Sequence, residues 1–141
     1  MKKKVLFAIL ICGLVLTTAC GKKDNKDNKK DNDRTEVKEP IANTDSNVIA
    51  EANIDGLKIS NVSLITEGES STYTADVVNT TDQAIDVKSF NILLKDENGN
   101  VIITLLGYVG TTITPGNSST ISTSVDIDLT GVKSIEYVRN Y

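Results

Sequence analysis

From Leu57 to Val138 the chain is a succession of short apolar runs in which hydrophobic and polar residues alternate, and no long stretch shows the spacing of an amphipathic helix. Successive side chains of a strand point to opposite faces, so each alternating run predicts a strand with one buried side. Ile59, Val62, Leu64 and Ile65 punctuate a run that ends at Glu67-Gly68-Glu69, and Tyr73, Ala75 and Val77 mark the next. After a turn at Asn79-Thr80-Thr81-Asp82, Ile85 and Val87 hold one parity while Phe90, Ile92 and Leu94 hold the other. That slip predicts a bulge or bend near Lys88-Ser89.

Asp96-Glu97-Asn98-Gly99-Asn100 lies between Ile92-Leu93-Leu94 and Val101-Ile102-Ile103, and Asn and Gly tolerate the positive φ of a tight hairpin. Pro115-Gly116 fits the centre of a type II turn. Beyond it Ile121, Thr123, Val125, Ile127 and Leu129 alternate, and a last strand is predicted from Val132 to Val138. Six or seven strands in roughly 90 residues predict an all-β fold, a small antiparallel sandwich of immunoglobulin type. Its expected core is Ile, Val and Leu with Phe90.

The N-terminal part has a different texture. Lys2-Lys3-Lys4 precedes an apolar run from Val5 to Leu16, and Leu16-Thr17-Thr18-Ala19-Cys20 follows before Gly21-Lys22-Lys23. A spanning helix needs about 20 apolar residues, so this shorter run is read as a secretory signal. The segment resembles the lipobox signal of bacterial lipoproteins, with Thr17 where that pattern usually has Leu. The resemblance implies a signal peptide over residues 1–19, cleavage before Cys20 and a diacylglyceryl group on the Cys20 thiol. Each buried methylene of such chains contributes about 0.8 kcal/mol, so two or more chains anchor a protein stably. The expected location is the extracytoplasmic face of a cell membrane.

From Gly21 the chain is rich in Lys, Asp and Asn with almost no apolar residue before Val37, too little to offset the entropy of ordering. The expected organisation is therefore a lipidated cysteine and disordered charged tether over 20–50, then the β domain over 51–141. Within this scheme Val48-Ile49-Ala50 is compatible with a strand start, a short helix or further tether.

Composition narrows the chemistry. The sequence has no histidine, which removes the usual neutral-pH base, the commonest zinc ligand and any Ser-His-Asp arrangement. Both cysteines, Cys12 and Cys20, lie in the signal region, so packing alone must hold the mature domain. From Ile41 onward five basic residues (Lys58, Lys88, Lys95, Lys133, Arg139) face thirteen acidic ones. Such a domain repels phosphate backbones, and no nucleic-acid partner is expected. No catalytic residue, cofactor or metal is predicted.

The remaining chemical candidates each have a plainer explanation. Asp96, Asn98 and Asn100 place oxygens at alternate positions as a calcium loop does, but the glycine is misplaced and Gly107 stands where bidentate Glu is needed. Asp126 and Asp128 are expected on one solvated face of a strand. Gly107-Tyr108-Val109-Gly110 lacks the basic residue and helix start of a phosphate loop. Tyr73, Tyr108, Tyr137 and Tyr141 are scattered, each read as a half-buried strand residue.

Ile92-Leu93-Leu94-Lys95-Asp96 with the turn after it, Asp76-Val77-Val78-Asn79-Thr80, and Ile113-Thr114-Pro115-Gly116 together resemble the FxLYD domain family of bacterial surface proteins. Leu94 and Asp96 match its motif, whereas Ile92 stands for Phe and Lys95 for Tyr. The resemblance spans Leu57 to about Val138 and implies an extracellular Ig-like sandwich, without catalytic residues to carry over. The expected function is a non-enzymatic, membrane-anchored module that meets an envelope protein through loops or an exposed strand edge. The alternative is an accessory lipoprotein that binds a small ligand or ion for transport or sensing.

Overall fold

A computed structural model describes residues 38–141. The segment 1–19, Cys20 and the tether as far as Val37 lie outside the described residues.

The domain is all β, built from eight strands: β1 (Ile41–Ala42), β2 (Ala52–Ile54), β3 (Leu57–Glu67), β4 (Ser70–Asn79), β5 (Ile85–Lys95), β6 (Val101–Ile113), β7 (Ser118–Val125) and β8 (Ser134–Asn140). They form two antiparallel sheets. One runs β1-β3-β4-β7, with β2 also pairing β3, and the other runs β6-β5-β8. The sequence predicted six or seven strands, and the excess comes from β1 and β2. Strands β3, β4 and β7 take the places of A, B and E in an immunoglobulin-type sandwich, while β5, β6 and β8 take those of C, C′ and F.

The core is the set of inward residues the alternation selects: Leu57, Ile59, Leu64, Val77, Phe90, Ile92, Leu94 and Ile121 are fully buried. Each such side chain contributes roughly 1.5–3 kcal/mol by leaving water. Tyr73 is also fully buried, correcting its reading as half-buried. Its hydroxyl lies 2.9 Å from that of Tyr137, so both phenols find a partner between the sheets. Desolvation holds the Tyr73 phenol far above the ordinary tyrosine range and also raises that of Tyr137.

The tether prediction fails over its last ten residues. Ile41 and Ala42 pair with Thr66 and Ile65, Asn43 N donates to Leu64 O at 2.8 Å, and Val48 is buried in the core. Residues 41–51 thus form a strap along the edge of β3. One buried valine and a few backbone hydrogen bonds outweigh a polar composition here, because β3 offers an edge to pair with.

The parity slip on β5 has the expected place. Val87 pairs with Thr111 and Phe90 with Gly107, so three steps on β5 match four on β6 around Lys88. A second bulge, which was not predicted, sits on β3. Ser60 pairs with Asp76 and Ser63 with Thr74, and Asn61 adopts φ 51° so that Ile59 and Val62 both face the core. The Asp96 hairpin also forms as expected, with Asp96 N donating to Asn100 O at 2.9 Å and Gly99 N to Asp96 O at 3.1 Å. Only Gly99 has positive φ in that loop, and Asn98 does not need it. Pro115-Gly116 closes as predicted, with Asn117 N donating to Thr114 O at 3.0 Å and Gly116 at φ 73°.

Candidate interaction surface

The predicted chemical candidates resolve into local structure. Asp96 Oδ1 accepts from Asn98 N at 2.8 Å and Asn100 N at 2.9 Å, and Oδ2 accepts from Asn100 Nδ2 at 3.1 Å. Both oxygens are committed to holding the turn, and these bonds keep the carboxyl below the usual aspartate range. Asp126 and Asp128 do not share a strand face, because β7 ends at Val125. Asp126 accepts from Ser70 Oγ at 2.8 Å, whereas Asp128 accepts from Thr130 N at 2.9 Å and Thr130 Oγ1 at 2.6 Å. Among the described residues no group of three or more His, Cys, Asp or Glu side chains could hold a metal ion.

Gly107 to Gly110 lie inside β6. A Cβ on Gly107 would fall 2.8 Å from Ile92 Cδ1 and 2.9 Å from Ile121 Cγ2, so this glycine lets the two sheets close on each other. Its role is packing, in line with the rejection of a phosphate loop.

One hollow of about 310 Å³ opens where β1 meets the β7–β8 loop, lined chiefly by Asn43, Asp45, Thr66, Thr130 and Lys133. Its polar groups largely satisfy one another. Asn43 Nδ2 donates to Val132 O at 2.9 Å and its Oδ1 accepts from Asp45 N at 2.9 Å; Asp45 Oδ1 accepts from Asn47 N at 3.0 Å, and Lys133 Nζ lies 3.9 Å from Asp45 Oδ2. Thr66 Oγ1 is hydrogen-bonded to Ser71 Oγ at 2.8 Å. The hollow joins the strap to the sandwich and lacks converging free donors of the kind that orient a small ligand.

The outer face of the three-stranded sheet is different. The register places Leu106, Asn91 and Val138 side by side in one row, with Tyr108, Ser89 and Asn140 in the next and Thr104, Leu93 and Glu136 on the other side. Tyr108 is 70 % exposed, Leu106 58 % and Val138 44 %. Asn140 Nδ2 donates to Ser89 Oγ at 3.0 Å and Asn91 Oδ1 at 3.1 Å, which stiffens the centre of the face without adding charge. Charge enters only towards the ends of β5, where Lys95 and Glu136 pair at one end and Asp86 and Lys88 are exposed at the other. A contiguous, uncharged and partly apolar patch on an acidic domain is the surface most suited to a partner.

Beside it, β8 forms one edge of the sheet and pairs only with β5 among the described residues. Its inward residues Ile135 and Tyr137 are only partly buried, unlike Ile92 and Leu94 on β5. At its far end Arg139 donates from Nη2 to Asp86 O at 2.7 Å and lies 4.8 Å from the Tyr141 ring centroid, while its Nε is buried without a partner among the described residues. Tyr141 in turn donates to Asp55 Oδ2 at 2.6 Å, fastening the end of β8 to the β2–β3 turn.

The sequence reading took the tyrosines as scattered and did not assemble this patch. Its signal was present in Leu106 and Tyr108, large residues at outward positions two apart. Comparison with protein-family models, with curated proteins and with solved structures returns no match.

Proposed function

We propose that this chain is a lipid-anchored, non-enzymatic binding module of a bacterial cell envelope, held at the extracytoplasmic membrane face through Cys20. The lipobox-like segment and the resemblance to FxLYD domains support the location and the class. The observation that carries the binding role is the exposed uncharged row Leu106–Asn91–Val138 with Tyr108 beside it, on a domain with thirteen acidic residues against five basic ones from Ile41 onward. The domain's −8 excess (five basic minus thirteen acidic residues from Ile41 onward) repels acidic macromolecules in general and leaves this face open to a neutral or basic one.

Two measurements test the reading separately. Cys20→Ala should release the protein from the membrane fraction, and unchanged retention would reject the lipid anchor. A photoreactive residue at Tyr108 should crosslink an envelope protein on intact cells, and Leu106→Lys should abolish the adduct. If Tyr108 yields no more product than the same probe at Ser122, on the outer face of the other sheet, the binding face is wrong.

A further inference from the structure

Four edges bound the two sheets, and they are not equivalent. The edge of β3 is covered by β1 and β2. That of β6 is broken by register shifts opposite Lys88 and beside Lys95. That of β7 carries only Ser and Thr at its outward positions Thr120, Ser122 and Ser124. Like β7 with its eight unshifted pairs to β4, β8 runs through seven consecutive pairs with β5 without a shift, a proline or a glycine, and it also leaves the large inward residues Ile135 and Tyr137 only partly buried. An unbroken strand with a free row of backbone donors and acceptors is a template for another strand. No backbone hydrogen bond among the described residues joins the strap to it.

We infer that the free edge of β8 pairs antiparallel with β8 of a second copy of this chain, making a continuous six-stranded sheet across a two-fold axis near Val138. Charge selects this occupant. Three of the five cations after Ile41 flank β8, namely Lys95, Lys133 and Arg139, and their local acidic counterparts are Glu136, Asp45 and Asp55. The acidic excess therefore sits elsewhere, on Glu67, Glu69, Asp76, Asp82, Asp96, Glu97, Asp126 and Asp128 among others. Two acidic bodies meeting along β8 oppose surfaces on which cations and carboxylates balance, whereas the β6 and β7 strands, uncharged themselves, are flanked by Asp96 and Glu97 and by Asp126 and Asp128 with no cation in either strand.

The pairing is also self-complementary, as a two-fold interface requires. About Val138 each Glu136 faces Asn140 of the second copy, Arg139 faces Tyr137, and Val138 faces itself, so no like charges are opposed. The added strand covers the half-exposed Ile135 and Tyr137. Six strands is an ordinary sheet size. The inference goes beyond the proposed function and requires only the fold; an anchor at Cys20 would raise the local concentration of copies on one membrane.

The test uses the mature chain from residue 20 carrying Cys20→Ala, which removes the lipid and the last native cysteine. Sedimentation velocity across a concentration series should show a reversible dimer, strengthened by added salt as the acidic bodies are screened. Val138→Lys sets two lysines against each other on the axis and should weaken the dimer about tenfold or more, while Leu106→Lys, on the same face but two strands away, should leave it intact. Val138→Cys should oxidise to a disulfide dimer much faster than Leu106→Cys. A monomer at every concentration, or equal crosslinking at the two positions, would overturn the inference, and neither result bears on membrane retention of the native protein.

Discussion

On the outer face of the five-stranded sheet, Asn61 Nδ2 and Thr120 Oγ1 both donate to Asp76 at 2.8 Å, and Thr72 meets Ser124 at 2.9 Å, so side chains tie three strands together. The outer face of the three-stranded sheet instead shows Leu106, Tyr108 and Val138 to solvent around a small Asn140–Ser89–Asn91 network. At the edges, β3 is covered by the strap, whereas β7, β6 and β8 have no further strand beside them among the described residues. One sheet ties its outward polar groups to one another, and the other leaves a largely uncharged surface exposed. The difference shows that two faces with the same period-2 alternation can have opposite surface character, decided by which outward residues find partners.

Substitutions that strike what both sheets share should have the largest effects. Asn79 is fully buried where the two sheets meet, donating to Gln83 O at 2.7 Å and Ile113 O at 2.8 Å and accepting from Thr81 N at 2.9 Å. Asn79→Ala leaves several of these groups unpaired and should cost about 3 kcal/mol in urea unfolding. If the cost is below about 1 kcal/mol, the sheets are held by apolar packing alone. Val48→Ala removes the strap's buried anchor and should cost about 2 kcal/mol, with faster amide exchange confined to residues 41–54 and the facing edge of β3. Exchange that rises equally in β8 would erase the contrast between the covered and the open edge.

The buried phenols give a pH signature. Tyr73 and Tyr137 have folded-state pKa values raised by desolvation above their unfolded values, so their stabilising contribution is complete below about pH 10 and is lost as pH rises beyond it. Stability should fall by about 1.4 kcal/mol per pH unit for each phenol that remains neutral in the fold while ionising in the unfolded chain. Tyr137→Phe should make that alkaline slope shallower and cost about 1 kcal/mol at neutral pH by orphaning the Tyr73 hydroxyl. The smallest effect on stability is expected from Leu106→Lys, within about 0.5 kcal/mol, because this side chain is mostly exposed on the outer face. A larger loss would mean that the outer face is structural after all.

Much of the fold was legible in the order of the residues. The alternations at Tyr73–Val77 and Phe90–Leu94, the parity slip at Lys88, and the turns at Asp96–Asn100 and Pro115-Gly116 are local patterns with local causes. The β3 bulge was equally readable, since Ile59 and Val62 are three apart and both apolar. So was the β2–β3 hairpin, where Asp55 at φ 51° and Gly56 at φ 80° form the Asp-Gly turn between Ile54 and Leu57. The strap was not legible, because Ile41-Ala42 and Val48 acquire meaning only when β3 presents an edge. Nor was the Tyr73–Tyr137 pair, which is 64 residues apart in sequence.

The residue order alone determined the all-β class, the positions of most turns, the acidic charge of the domain and the lack of imidazole and of internal disulfides. Those properties follow from backbone periodicity, turn stereochemistry and composition, which act within a few residues. Tertiary structure alone decided which edge is covered and which is open, which tyrosines meet in the core, and which outward side chains form one uncharged surface. Such choices depend on pairings between distant strands, and a strand's own sequence fixes its two faces but not the neighbour that lies beside it.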